Sequence, residues 1–445
     1  MTRERSRLLE LDQEARELAH TEFSRPLIIE AGAGTGKTAL LTARAVAWCV
    51  GPGWELHAAD GVEGAAVARR VIERVVAITF TDAAAAEMAQ RVGQALAALA
   101  RGESAVGVDR GLLAVDGEVE LLARCTALAD EVHRLPASTF HSWCHRQLRR
   151  FPLEAGLHPM FEVDADGTLV EAAAVEVVEG ALRGLAEDPL AGDWQRLAAA
   201  GVVPPRIAEA LERLAAAGVA PEALDRDPFA PDSVAPLLDR LRDSLAAFRQ
   251  AEQGRLAAVS RNPTAAATRE WLERLLELLD RRDGPESLAE LLSRPEPAVL
   301  ARCRDWARGK FGATESAALG DAAPAVAAAA ASLSGLLASL AAVREEELGA
   351  ARRVLGDLLG RLRSRLRRTG VATYEDLLVS TERLLASSPR LRAAVRRDID
   401  QLMVDEFQDT DDTQCRIVRW LALDGDRSRR PGLFIVGDPK QSIYG

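Results

Sequence analysis

Eight consecutive residues, Ala31-Gly32-Ala33-Gly34-Thr35-Gly36-Lys37-Thr38, constrain this chain more than any other stretch. Before them runs Pro26-Leu27-Ile28-Ile29-Glu30, a short apolar segment that reads as a buried parallel strand. After them, Ala39 to Cys49 carries apolar residues at helical spacing. Strand, glycine turn and helix in that order make a cradle for phosphate. Backbone N–H groups and the positive helix end face the anion, and Lys37 adds a point charge at the far phosphates. Thr38 offers its hydroxyl to a Mg2+ that bridges them. The first position is Ala31 where the strict pattern has glycine, and the remaining glycines keep the turn open. The bland alternative, a glycine-rich turn that happens to precede Lys-Thr, does not explain the flanking strand and helix. The expected ligand is ATP or a similar nucleoside triphosphate with Mg2+, held by Ala31, Gly32, Ala33, Gly34, Thr35, Gly36, Lys37 and Thr38.

Composition sets looser limits. A chain of 445 residues ordinarily makes two to four domains. Its net charge of −11 argues mildly against a general nucleic-acid binder, although an acidic chain can still carry a local basic groove. The five cysteines, at 49, 125, 144, 303 and 415, show no C-x-x-C pair and read as isolated reduced thiols. Met1 to Leu9 lacks the apolar core of a signal peptide, and the Ala-rich tract near 322–342 is interrupted by Pro, Ser and Gly. A cytoplasmic protein with no membrane partner is expected.

Residues 5–20 read as an amphipathic helix. Val75 to Phe80 is β-branched and apolar, as a core strand is, and Thr81 or Asp82 caps the helix that follows. Turn residues thicken between Gly102 and Gly117, predicting a surface excursion. Pro136 to Phe140 is a short strand, and His141 to Arg150 a helix. From 151 to 370 Ala and Leu dominate, strand-like runs nearly vanish, and Pro204-Pro205, Pro228 to Pro236 and Pro295 to Pro297 divide the stretch into helices. No fixed-period repeat is found. The α/β texture returns with a helix from Tyr374, then strands at Asp400–Asp405 and Gly432–Asp438. The predicted fold is α/β: a P-loop sheet flanked by helices in two parts, 1–150 and 371–445, with a large all-α insertion over 151–370.

Asp405-Glu406 follows the apolar run Leu402-Met403-Val404, so both carboxylates sit at the C-terminal end of a core strand, where open α/β sheets keep their ligands. Asp405 suits a Mg2+ ligand, and Glu406 suits orienting and deprotonating a water. An acidic loop at a strand end is common, and its pairing with the glycine loop is what gives it weight. His141, Cys144 and His145 on one short helix lack a fourth ligand and read as non-metal.

Five segments occur in one order: Ala31–Thr38; Thr79-Phe80-Thr81 through Glu87-Met88; Ser138-Thr139-Phe140-His141-Ser142; Val404-Asp405-Glu406-Phe407-Gln408-Asp409-Thr410; and Gly437-Asp438-Pro439-Lys440-Gln441-Ser442-Ile443-Tyr444-Gly445. Together they resemble the first half of the UvrD/RecB-like superfamily 1 DNA helicases. The stretches 136–163 and 374–414 lean toward the RecB/AddA branch, which works in double-strand-break repair and recombination. The resemblance covers the α/β ends and leaves the helical middle without a readable motif. It implies a RecA-like fold, ATP hydrolysis with Lys37, Asp405, Glu406 and Gln441 as catalytic residues, and an adenine contact from Gln13. It also implies a single-strand DNA path lined by Phe80, Thr139, His141 and Tyr444. Ala83 stands where the family usually has lysine, which removes one backbone-neutralising charge.

The Arg residues at 361, 363, 365, 367 and 368, and those at 146, 149 and 150, suit either a solvated helix face or a phosphate track. The resemblance implies single-stranded DNA and duplex junctions as substrates, 3′→5′ translocation, and a helicase-nuclease partner subunit. Such motors hydrolyse ATP between two RecA-like domains, so the 445 residues are expected to be an N-terminal fragment that turns over slowly alone. A non-catalytic nucleotide-binding scaffold is the alternative. A small-molecule P-loop kinase leaves the segments at 404–410 and 437–445 unexplained.

Overall fold

The computed structural model describes residues 13–32, 36–58, 62–228, 230–256, 263–280, 297–341 and 344–438. Two compact units emerge: one of residues 1–170, 215–218 and 364–445, the other of 171–214 and 219–363.

The first unit is built on a five-stranded sheet. Its strands are β1 (Leu27–Glu30), β2 (Val75–Thr79), β3 (Ala137–Thr139), β6 (Gln401–Val404) and β7 (Gly432–Gly437), in the order β1-β7-β6-β2-β3. Every neighbouring pair is parallel. A parallel sheet buries both faces of its central strands, and so β2, β6 and β7 appear in sequence as unbroken apolar runs; β1, expected from its sequence to be buried, lies at the sheet edge and leaves Ile28 exposed. The two-residue period of a strand divides each run between two cores. Val75 and Ala77 of β2, Met403 of β6, and Phe434 and Val436 of β7 pack on one face, with Leu41, Leu96 and Leu128. Val76 and Ile78, Leu402 and Val404, and Leu433 and Ile435 pack on the other, with Trp143, Leu378 and Ile417. This is the α/β, RecA-like architecture expected of the sequence.

The chain runs from β1 to β2, leaving a gap two strands wide, and continues to β3. The gap is filled by β6 and β7, which arrive only after the helical unit has been traversed. A short parallel pair, β4 (Glu162–Val163) with β5 (Val371–Ala372), joins the chain where it leaves to where it returns. Its ladder is extended by Glu162 N–H to Gly370 O at 2.8 Å and Asp164 N–H to Ala372 O at 2.9 Å. Phe161 is buried in the sheet's second core. Residues 151–170 therefore belong with the sheet, and the compact helical unit begins at 171 rather than at 151.

The helices that frame the site are α1 (Lys37–Val50), α2 (Asp82–Ala100), α3 (Phe140–Arg150), α4 (Tyr374–Ser387) and α5 (Asp412–Val418). Thr81 and Thr139 cap α2 and α3 through their hydroxyls. Within residues 5–20, helix is seen from 13 onward; 5–12 lie outside the described residues. The excursion between Gly102 and Gly117 is pinned to the core by Ala105, Val108 and Leu113.

The second unit is all helical over its described residues. Its core joins helices Pro231–Glu252, Pro263–Asp280, Pro297–Ala307 and Ala323–Ala341, with Phe248 stacked on Trp306 at 5.6 Å. Pro204 and Pro297 start helices, where the missing N–H costs nothing. Pro236 does not break its helix: it lies inside Pro231–Glu252, past the first turn, where it removes one backbone hydrogen bond. The helical stretch Ala313–Leu340 is long and apolar enough, by length and composition alone, to cross a membrane. Here Val326, Ala330, Leu333 and Leu337 are spent on the core of this unit.

Candidate active site

β1 delivers the glycine loop and β6 the acidic pair, with the end of β7 between them. The Ala31 N–H donates to Gly437 O at 3.0 Å, fastening the start of the loop to β7. Gly36, at φ 93° and ψ 26°, is the N-cap of α1 and holds a left-handed conformation that a side chain resists. Ala31 and Gly32 follow β1 directly, and Gly36, Lys37 and Thr38 open α1. Ala33, Gly34 and Thr35 lie outside the described residues, as do Gln441 and Tyr444.

Lys37 and Glu406, 369 positions apart, meet: Nζ donates to Oε2 at 2.5 Å. Asp405 leaves β6 with its N–H bonded to Ile78 O at 2.9 Å. Glu406 then turns into the left-handed region, φ 49° and ψ 45°, while its N–H donates to Asp405 Oδ1 at 2.9 Å. Gln253 is the only other non-glycine at positive φ among the described residues. Such a backbone costs about 1–3 kcal/mol and persists only where its surroundings over-determine it. Here it aims Glu406 back at Lys37.

The two acids are driven apart. Burial, and then the adjacent Glu406 charge, push the Asp405 carboxyl above the usual range against the pull of Lys37. For Glu406 burial acts upward too, but the hydrogen bonds from Lys37 and Gln408 prevail and hold its carboxyl below the usual range. Oppositely displaced neighbours of this kind are the signature of divided acid–base roles. The Lys37 ammonium bonds Glu406, and the half-buried Asp405 carboxylate accepts the Glu406 N–H. An oxygen donor of this kind suits a hard divalent cation.

Alongside lies a recess of about 150 Å³ lined by Thr79, Phe80, Thr139, Phe140, His141, Asp405, Glu406, Thr410 and Gln414. Phe80 is 57% exposed, unusual for a phenyl ring at the end of a core strand. Thr139 bonds Ser142 through its hydroxyl, at 3.0 Å to Oγ. The His141 ring packs edge-on to Tyr374 at 5.4 Å, and burial holds its pKa below the ordinary value against the pull of Asp411. Three of the four residues expected on the DNA path thus share one recess with the acidic pair. Gln13 is exposed, the first described residue of its helix, with its amide bonded to Glu17 at 3.1 Å. On α3, His145 meets Phe161 edge-on at 5.3 Å, and burial drives the Cys144 thiol to about 12.

Two further residues matter. Gln408 bonds Glu406 through its amide; it stands inside the 404–410 segment that carries the resemblance, with no role assigned to it there. Arg44 is wholly buried between the Phe23 and Phe434 rings, its guanidinium 4.4 Å and 4.6 Å from their centroids. It donates to Ala19 O, Glu22 O and Gln401 Oε1. A lone arginine inside the apolar run 39–50 was the available signal.

Comparison with known proteins bears on this site directly. Residues 11–445 match the UvrD/REP helicase N-terminal domain. The chain is 26% identical to an ATP-dependent helicase/nuclease subunit of Desulforudis audaxviator, over 94% of its own length and 34% of that protein's. A segment covering 20% of the chain is 43% identical to 8% of the RecBCD enzyme subunit RecB of Mycolicibacterium smegmatis. Another, 18% of the chain, is 40% identical to 10% of the ATP-dependent DNA helicase PcrA of Leuconostoc citreum. The chain thus spans about a third or less of the length of these curated relatives.

Proposed function

Because the chain belongs to the UvrD/REP helicase family, we propose that it forms an ATP-hydrolysing wall of a DNA helicase acting in repair and recombination. The observation that carries this reading is the convergence of Lys37 on Glu406, beside Asp405, at the strand ends where the glycine loop also lies.

Each residue's role follows from its chemistry. The loop from Ala31 to Thr38 wraps the triphosphate with backbone N–H groups. Lys37 exchanges its carboxylate partner for phosphate oxygens as nucleotide enters. Glu406, thereby released, accepts the proton of the attacking water. Thr38 and Asp405 are the residues that would hold Mg2+, whose contribution is to neutralise charge on the transferred phosphoryl group. Gln13 and Gln441 are assigned to the adenine and the γ-phosphate by their motif positions.

Single-stranded DNA is the proposed track, with Phe80, Thr139 and His141, and Tyr444 by motif, along it. Exposed rings stack on bases irrespective of sequence, at about 1–3 kcal/mol per base. A 3′→5′ direction, work within a helicase-nuclease assembly and a soluble, cytoplasmic setting complete the proposal. The helical unit is read as an insertion into the ATP-binding domain.

The deciding experiment is single-strand-stimulated ATP hydrolysis by the native full-length polypeptide. The expected result is activity that Lys37→Ala abolishes. ATP hydrolysis indifferent to Lys37→Ala, or no hydrolysis with DNA present, refutes the reading.

A further inference from the structure

We propose that Gln408 is a positioning residue that ties the Glu406 carboxylate to the exit of β7, and so keeps the base aimed once nucleotide has drawn Lys37 away. The inference rests on the hydrolytic reading of Lys37 and Glu406 above and adds a residue to it.

The Gln408 side chain is fully engaged. Its Nε2 donates to Glu406 Oε2 at 2.8 Å and to Asp409 Oδ2 at 3.1 Å. Its Oε1 accepts the Asp438 N–H at 2.8 Å. Only one orientation of the amide satisfies this set, because a flip would put oxygen against two carboxylates and nitrogen against an N–H. No other residue type serves as well. Glutamate would bring a third carboxylate to the cluster, and leucine would strip the donor from Glu406 and the acceptor from Asp438.

Both ends of this link are held. The turn Phe407–Asp409 that carries Gln408 is closed by Asp409 N–H to Glu406 O at 3.0 Å and Thr410 Oγ1 to Phe407 O at 2.6 Å. On the other side, β7 ends in Gly437, where an added Cβ would lie 2.7 Å from Gln408 Oε1 and 3.4 Å from the Phe407 and Gln408 nitrogens. Glycine there permits the β7 exit to lie directly on the amide.

Lys37 and Gln408 bind the same oxygen, Glu406 Oε2, which leaves Oε1 to receive a proton from water. The two donors are not equivalent. Phosphate oxygens compete for Lys37 and have no claim on Gln408. In the nucleotide-bound state Gln408 is therefore the remaining restraint on a carboxylate that projects from a strained, left-handed residue. Through the Asp438 N–H the same amide is tied to the chain where it leaves β7, so the position of that exit bears on the base directly.

Such a restraint acts on the chemical step and leaves binding alone. In the native full-length protein, Gln408→Leu is expected to lower single-turnover ATP hydrolysis by about 10- to 100-fold, the scale of a misplaced reacting group. ATP affinity, read with a fluorescent ATP analogue, is expected to stay within about twofold, since no nucleotide contact is removed. Gly437→Ala, which displaces the amide from the opposite side, is expected to reproduce the effect. In a Glu406→Gln background, where the base is already gone, Gln408→Leu is expected to add less than about twofold.

Hydrolysis unchanged in Gln408→Leu overturns the proposal, and so does an equal loss in the Glu406→Gln background, which marks a merely structural role. Weakened ATP affinity at unchanged single-turnover rate overturns it as well. Where the unsubstituted protein hydrolyses ATP and Lys37→Ala does not, these results judge Gln408 alone. Where neither hydrolyses ATP, the hydrolytic reading itself falls, and this proposal with it.

Discussion

Replacing Arg44 by methionine pits two opposing effects against each other at a site whose parts are all visible. The guanidinium is 0% exposed. It donates to Ala19 O at 2.8 Å, in the last turn of the helix that ends at Thr21, and to Glu22 O at 2.9 Å, just beyond it. Hydrogen bonds from a charged donor contribute about 1.5 kcal/mol each or more, so these two supply about 3 kcal/mol. The stacked Phe23 and Phe434 rings add about 2 kcal/mol in a desolvated setting. Against this stands the cost of burying the charge. Burial depresses the Arg44 pKa from the ordinary guanidinium value to about 10, even with Glu22 acting the other way. That depression is worth about 3 kcal/mol. A base with a lowered pKa binds fewer protons folded than unfolded between these values, so the cost is fully present at neutral pH and relieved only above about pH 10.

The interactions win by about 2 kcal/mol, and Arg44→Met, which refills the volume without the fork, should lose that much. For a domain of this size the midpoint of thermal unfolding should fall by about 4–8 °C. Differential scanning calorimetry with parallel denaturant titration is the assay. Arg44→Lys should be no better than methionine, because an ammonium neither stacks as a plane between two rings nor offers a rigid fork to the two carbonyls. A methionine variant as stable as the parent refutes the reasoning: desolvation would then outweigh the contacts.

Other consequences are simpler to test. Native-state alkylation should reach Cys415 first, since it is half-buried while Cys49, Cys125, Cys144 and Cys303 are buried, with Cys125 pushed up to about 11 and Cys303 to about 12; mass-spectrometric mapping after a short iodoacetamide pulse reads the order. The lowered pKa of Glu406 stabilises the fold above the ordinary carboxylate range, and that contribution disappears as pH falls through the folded value. In Lys37→Ala, with the ion pair gone and burial left, this acid dependence of unfolding should weaken or reverse. His141, held neutral by burial, makes the fold lose stability as pH drops below the ordinary imidazole value; an NMR titration should find its midpoint below that value, and His141→Gln should flatten the stability profile between pH 5 and 7. Gly36→Ala should destabilise by about 1–2 kcal/mol, the cost of a side chain at φ 93°, in a thermal melt without nucleotide.

Much of this was legible in the chain itself. The glycine loop announces a phosphate site because its geometry is local: a strand, a turn of small residues and a helix start need no distant partner to be recognised. The strands appear as apolar runs because both faces of a parallel sheet are buried, and the helical middle appears as helix because its period is 3.6. The acidic pair was readable for the same reason, as two carboxylates at the end of such a run.

What the tertiary structure alone decided is adjacency. Periodicity reports which face of an element is buried and never against what, so the insertion of β6 and β7 between β1 and β2 could not be read. Nor could the pairing of Glu162–Val163 with Val371–Ala372, which moves the edge of the helical unit. The same holds for the smallest contacts. Lys37 on Glu406, Gln408 on the Asp438 N–H and Arg44 between two phenyl rings join positions that share no local pattern. Each is set by the three-dimensional order of strands, because a side chain's partners depend on distance in space, and the sequence records only distance along the chain.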